Sequence, residues 1–384
     1  KPRVRRPIIK MALEKGAPLS FNRDIRPILS DNCFICHGPD EKQRKAGLRL
    51  DLEKEAFKAL SPGYHALVPA NIEQSLLFQR IITKDEDDVM PPKDYPKQLK
   101  QEQIETIGRW ILQGAPWEPH WAFAKAKTIE IPQVEKSAGW TQNTIDNFVL
   151  NTIEQKGFTP NKSADKRTLA RRATLDLTGL PPIPADIEAF VNDDSPDAYE
   201  KLLDRLLAIP EYGEHLGRIW LDAARYADTN GYHIDNTRNM WRWREWVIDS
   251  FNNNKPFDEF TIEQIAGDLL ENPTTDQLIA TGFNRNHMVN FEGGAIPEEY
   301  RIQYVSDRLE TTGTVWMGLT LNCAKCHDHK YDPISQKEYY QLFAFFNTID
   351  EKGLDGNTPT GNSQPMIDAP NSMHKAKQTQ LEHD

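Results

Sequence analysis

Apolar residues recur through most of this chain at the three-and-four spacing of amphipathic helices. Phe21, Ile25, Ile28 and Leu29 predict a helix that runs into Cys33. Residues 71–81 and 101–112 predict two more, the second with Ile104, Ile107, Gly108 and Ile111 on one face. Gly108 predicts a close crossing with the first helix, at a propensity cost of about 1 kcal/mol against alanine. The polar, proline-broken stretch 117–140 reads as a linker, and His120 within it as a surface or packing residue. From Thr141 the helical pattern returns, with Ile145, Phe148, Val149 and Ile153 as one stripe. A basic helix over 163–175 is stopped by Thr178-Gly179-Leu180-Pro181-Pro182. Helices then follow over 184–191, 198–207, 215–227, 240–251, 257–270 and 301–321, the last predicted to run straight into Cys323. Trp241, Trp243 and Trp246 read as core rather than as a cofactor wall. An apolar helix over 339–346 closes the pattern. Beyond Asn347 the chain turns to Gly, Asn, Ser, Pro and Lys, which predicts a polar linker or tail without packed structure.

Charge and composition narrow the partners. Asp and Glu number 57 against 46 Lys and Arg, a formal net charge of -11, which argues against nucleic acid. No run of about 18 apolar residues exists, so no membrane-spanning helix is expected. The start, Lys1-Pro2-Arg3-Val4-Arg5-Arg6, has the charge of a leader but no apolar core after it, and the chain reads as already processed after export.

The four cysteines change the picture most. They fall as Cys33-Phe34-Ile35-Cys36-His37 and Cys323-Ala324-Lys325-Cys326-His327, and none is left over. In c-type haem attachment two sulfurs add to the haem vinyls and the adjacent imidazole is held under the iron. That chemistry needs two intervening residues and an immediate histidine, and both units supply them. A shared zinc site remains an alternative, but its cysteine pairs usually lie about 15 to 20 residues apart. A thioredoxin-like dithiol would need a βαβ context, and disulfides within such short loops would not need the histidines.

Two covalently bound haems c are therefore expected in a mainly α chain. A small class I-like cytochrome c domain over 21–116, after an extension at 1–20, precedes the linker 117–140. A larger irregular helical haem domain follows over 141–349, then the tail 350–384. Met90, in Val89-Met90-Pro91-Pro92 between the first haem motif and the helix at 101–112, is the expected distal thioether of the first iron. The competing reading is a gap-filling methionine.

Phe21-Asn22-Arg23-Asp24-Ile25-Arg26-Pro27-Ile28-Leu29, Ala46-Gly47-Leu48-Arg49-Leu50-Asp51 and Met90-Pro91-Pro92 resemble the planctomycete-type cytochrome c domain. Asp176-Leu177-Thr178-Gly179-Leu180-Pro181-Pro182, Trp220-Leu221-Asp222, Arg225-Tyr226-Ala227-Asp228-Thr229-Asn230-Gly231-Tyr232 and Cys326-His327-Asp328-His329-Lys330 resemble the helical domain, of unassigned function, that follows it in large secreted planctomycete proteins. The resemblance spans about residues 20 to 350. It implies export to the periplasm or beyond, haem in the first domain, and Met90 as its distal ligand.

For the second iron His327 is the proximal candidate. His287 is the favoured distal ligand, with His233 or an open position as alternatives, while His329 sits too near His327 to reach the opposite face. A six-coordinate pair of haems makes an electron carrier that serves a redox protein or a small donor or acceptor. An open second haem makes a peroxidase-like oxidoreductase, with Asp328, Arg285 and Glu292 available as acid–base or charge-stabilising groups unless they are solvated charges or helix caps. A polysaccharide-associated or scaffolding module is a third expectation. Asp228, Asn230 and Asp235 gather hard oxygen ligands, but without EF-hand spacing.

Overall fold

The computed structural model describes residues 16–126, 128–134, 138–354 and 361–383; the leader-like charges at 1–6 lie outside them. The chain forms two compact units. The first contains the described residues up to Thr128 together with Thr320–Leu342, and the second those of Ile129–Leu319 and Phe343–Asp384. The second haem motif thus groups with the first unit.

In the first unit the chain enters through a wide turn, Phe21–Ile25, that continues as α1 (Arg26–Asn32). The Ser20 hydroxyl accepts the Arg23 amide at 3.3 Å and so starts the turn. Phe21, Ile25, Ile28 and Leu29 all point inward, as their spacing predicts. After α2 (Phe34–His37) and α3 (Glu53–Ala56), β1 (Ala59–Ser61) and β2 (Tyr64–His65) make a short antiparallel hairpin that the sequence pattern did not predict. α4 runs only from Leu76 to Ile82. Residues 71–75 form a turn instead, pinned by the buried Ser75 hydroxyl, which donates to the Asn71 carbonyl at 2.7 Å.

α5 (Gln101–Leu112) has the predicted bounds. Its Gly108 packs against α4 rather than the first helix: a Cβ there would lie 2.6 Å from the Phe78 ring. Trp117 stacks on Phe21 at 3.9 Å between centroids, and the Trp110 indole N–H donates to the Pro116 carbonyl at 2.8 Å. The expected linker therefore begins inside this core.

In the second unit α6 (Thr144–Gln155) is capped by Asn143, whose side chain accepts the Ile145 and Asp146 amides. The expected stripe faces the other way. Leu150 is fully buried, whereas Ile145 is 73% exposed and Phe148 and Val149 are also exposed. The inward side carries Asp146, spent on the cap, and Asn147, which donates to the Pro132 carbonyl at 3.1 Å. α7 (Lys166–Thr178), α8 (Pro184–Val191) and α9 (Ala198–Leu207) share a small core of Ala170, Ala173, Phe190, Leu202 and Leu206.

α10 (Pro210–Ala223), α11 (Trp241–Asn252), α12 (Phe257–Ala266) and α13 (Thr275–Ala280) build the larger core around Trp243, Trp246, Val247, Phe260 and Phe283. Trp243 and Trp246 are core, as expected, whereas Trp241 is half-buried outside that core, against Arg242 and His374. α14 (Pro297–Met317) does not run into Cys323. It ends at Gly318, whose φ of +64° suits glycine, and the Leu319 amide turns back to the Gly313 carbonyl at 2.9 Å. α15 spans Gln336–Phe346. Where a tail without packed structure was expected, α16 (Ser372–His383) forms, with Asn371 accepting the His374 amide at 2.9 Å. Among the described residues no helix is long and apolar enough to cross a membrane.

Candidate haem sites

The first site is one helical turn. Cys33 ends α1 and begins α2, and its carbonyl accepts both the Cys36 amide at 3.1 Å and the His37 amide at 2.8 Å. That turn sets Cys33 and Cys36, three residues apart, on a common side. Two further backbone bonds hold the following chain: Lys45 N–H to the Cys36 carbonyl at 2.7 Å and Leu50 N–H to the His37 carbonyl at 2.8 Å. The Ala46–Leu50 segment is thereby laid across the motif.

Both thiols are free, and burial, then the neighbouring Cys36, pushes the Cys33 thiol up to about 12. Cys33 packs against the apolar core, a setting that suits the thioether of a covalently bound haem. Burial also holds the His37 imidazole below its ordinary pKa, which favours the neutral form that ligates iron. Its Nδ1 is buried and meets no protein acceptor. Free sulfurs three residues apart beside a half-buried imidazole whose Nδ1 lacks a protein partner fit a covalently held haem.

Met90 belongs to the same unit. It is half-buried, follows α4, and its amide donates to the Arg80 carbonyl at 2.9 Å.

The second motif repeats the turn in looser form. The amides of Cys326 and His327 both reach the Cys323 carbonyl at 3.4 Å. Cys323, Cys326 and His327 are all exposed, and both cysteines are free. His327 Nδ1 lies 2.7 Å from the Asp328 carbonyl. With the ring proton donated there, Nε2 keeps its lone pair for a metal. The Gln336 amide donates to Asp328 Oδ1 at 2.8 Å, and the Gln336 side chain and the Tyr340 hydroxyl both donate to the Lys325 carbonyl at 3.1 Å. His329 is buried and its Nδ1 accepts the Asp332 amide at 2.9 Å, so it ties the loop.

A cavity of about 230 Å³ in the first unit is lined among others by Arg26, Phe34, Asp51, Asp328, Asp332 and Glu338, and neither the cysteines nor the histidines of the two motifs line it. Arg26 Nε and Nη1 are buried beside it without a protein partner. His120 reaches Asp332 at 3.3 Å through Nε2, which is the packing role expected of it.

His287 is committed to partners within the second unit. Both of its ring nitrogens are engaged: Nδ1 with the Met288 carbonyl at 2.9 Å and Nε2 with the Arg308 guanidinium at 2.7 Å. Its ring stacks on Tyr304 at 4.5 Å, and only 2% of the residue is exposed. His233 is exposed on the second unit. Arg285 pairs with Glu351 at 2.7 Å, largely enclosed, and so is neither the solvated charge nor the helix cap that was the alternative to a catalytic role. Among the described residues no three His, Cys, Asp or Glu side chains gather as a metal cage, either around the four cysteines or at Asp228, Asn230 and Asp235.

A cytochrome c-type domain followed by a helical domain is the class these elements define. Residues 33–94 match the family of planctomycete cytochrome C, which implies covalently bound haem c. Residues 144–351 match the family described as a protein of unknown function (DUF1549), and the chain belongs to that family. The second haem motif falls inside this longer match. No curated protein and no solved structure matches the chain.

Proposed function

We propose that the chain is an exported dihaem c-type cytochrome that passes electrons between redox partners. The observation that carries this reading is the repetition of one turn, in which the amides of the second cysteine and the histidine converge on the first cysteine's carbonyl. Covalently bound haem supplies one-electron chemistry at each motif. Cys33 and Cys36 tether the first group, and Cys323 and Cys326 the second. His37 and His327 offer imidazole nitrogen to the irons, and Met90 offers a thioether to the first. The exposed second motif is the natural point of entry or exit for an electron, toward a redox protein or a small molecule. Export follows from the family resemblance and from covalent haem attachment.

A second reading is favoured by the engagement of both His287 nitrogens. With that side chain committed to Arg308, a second haem would lack His287 as a ligand, and a haem left without a distal protein ligand would supply the chemistry of a peroxidase-like oxidoreductase.

The test is haem content after maturation in a host that attaches haem c. The wild-type chain is expected to keep two haems through acid–acetone extraction, and the double variant Cys323→Ala/Cys326→Ala one. Equal haem content in the two proteins contradicts the dihaem reading. Carbon monoxide or cyanide binding to one haem alone separates the oxidoreductase from the carrier.

A further inference from the structure

The second unit holds a cavity of about 350 Å³ unrelated to either haem motif. It lies among the 230–243 segment, α13 with the turn after it, and residues 361–369. Its size falls at the lower end of small-molecule sites, about 300 to 1,000 Å³. Among the described residues three arginines line it, Arg238, Arg242 and Arg285, against one carboxylate, Asp268.

Two of these cations are fixed in place. Arg238 is buried and spreads Nε, Nη1 and Nη2 over the carbonyls of Ala227, His287 and Asn286 at 3.1, 2.8 and 3.0 Å. Arg285 holds Glu351 and Ser363. That Glu351 carboxylate is already shared with Arg308, so positive charge exceeds negative here. The strain is visible in the arginines themselves: burial and then Arg308 push Arg285 down to about 10.

Arg242 differs. Its Nε donates to the Ala369 carbonyl at 3.1 Å, while Nη1 and Nη2 have no hydrogen-bond partner among the described residues. Two other lining side chains are also incompletely bonded. Asn230 is 1% exposed and Trp243 2%, yet Asn230 Oδ1 and the Trp243 indole N–H are buried without a partner. Native interiors rarely leave such groups unmet. The remaining wall is apolar, with Met240, Ile279, Val289, Met366 and Ile367.

We propose that this cavity binds a small organic anion, a monocarboxylate with an aromatic or otherwise apolar body. The carboxylate takes the Nη1 and Nη2 edge of Arg242 in the field of Arg238 and Arg285, and the body covers the apolar wall. The Arg242 guanidinium lies 5.5 Å from the Trp241 ring centroid and also feels Asp249. Asp268 at the lining offsets one of the three arginines, and Glu351, shared between Arg285 and Arg308, leaves a positive surplus that favours a negatively charged ligand. The site stands independently of how many haems the chain carries.

Calorimetric titration of the haem-loaded chain with benzoate, and with its uncharged isostere benzamide, tests the site. One benzoate per chain is expected, with benzamide weaker by about tenfold or more, the scale of a lost charge-assisted hydrogen bond. Arg242→Gln should weaken benzoate by a similar factor, Arg242→Lys should recover part of it, and Asp268→Asn should tighten it. The haem spectrum, set by the other unit, should not move in any variant. Absence of benzoate binding, equal binding of the two probes, or binding unchanged in Arg242→Gln overturns the proposal.

Discussion

Arg308 and Glu351 are the most enclosed opposite charges of the second unit, 0% and 3% exposed, and they meet in a two-pronged pair. Burial of such a pair is tolerable only when every remaining donor and acceptor is met. Here Arg308 Nε donates to the Asn284 carbonyl at 2.7 Å, Nη2 also donates to His287 Nε2, and Arg285 shares the carboxylate. Arg308→Met leaves Glu351 buried beside a single cation and should cost about 3–5 kcal/mol, read as a lower denaturant midpoint.

His287 inside this cluster faces Arg308, Arg285, Glu351 and Tyr304, and burial first, then Arg308, hold its pKa well below 6.5. The folded chain keeps the ring neutral while the unfolded chain protonates near 6.5, so protons favour unfolding below that value. Stability should therefore fall as the pH drops below about 6.5. That loss should be smaller in His287→Gln, measured by denaturant unfolding at a series of pH values. In the first unit, Met90→Ala should change the spectrum and lower the potential of one haem only, because a methionine thioether would raise the potential of the haem it held. No spectral change removes Met90 from the ligand set.

At the scale of elements, helix propensity and packing oppose each other at Gly108. Alanine gains about 1 kcal/mol of propensity but drives a methyl into the Phe78 ring, which is buried and has no room to yield. Overpacking of about 1–3 kcal/mol should win, and thermal unfolding of Gly108→Ala should show a lower midpoint. Helices with an apolar face and polar ends were legible: α5, α8 and α9 lie where their spacing puts them. α6 was legible as a helix but not in its orientation. Periodicity finds a stripe, whereas the inward face is chosen by Asn147 and Leu150 against the rest of the unit. The end of α14 was hidden because Leu319 and Leu321 continue the apolar pattern past Gly318, and only the left-handed backbone there breaks it. The short hairpin at Ala59–His65 is held by pairing across a turn, which carries no periodic signal over so few residues.

For the whole molecule, the mainly helical class was legible, and the two C-x-x-C-H units stand out because their residue types and spacing are local. What the sequence could not carry is where those motifs go. The second lies deep in the DUF1549 match, yet Thr320–Leu342 groups with the cytochrome unit, and His287, attractive as a ligand by sequence position, is committed to Arg308. Such contacts join residues far apart in the chain, as do the arginines and Trp243 around the second unit's cavity.

The most direct measurement is the mass of the intact, acid–acetone-extracted chain, matured with haem attachment, beside the Cys323→Ala/Cys326→Ala variant. Two retained haems in the wild type and one in the variant are predicted; a wild-type chain that retains a single haem, with the variant identical to it, contradicts the account.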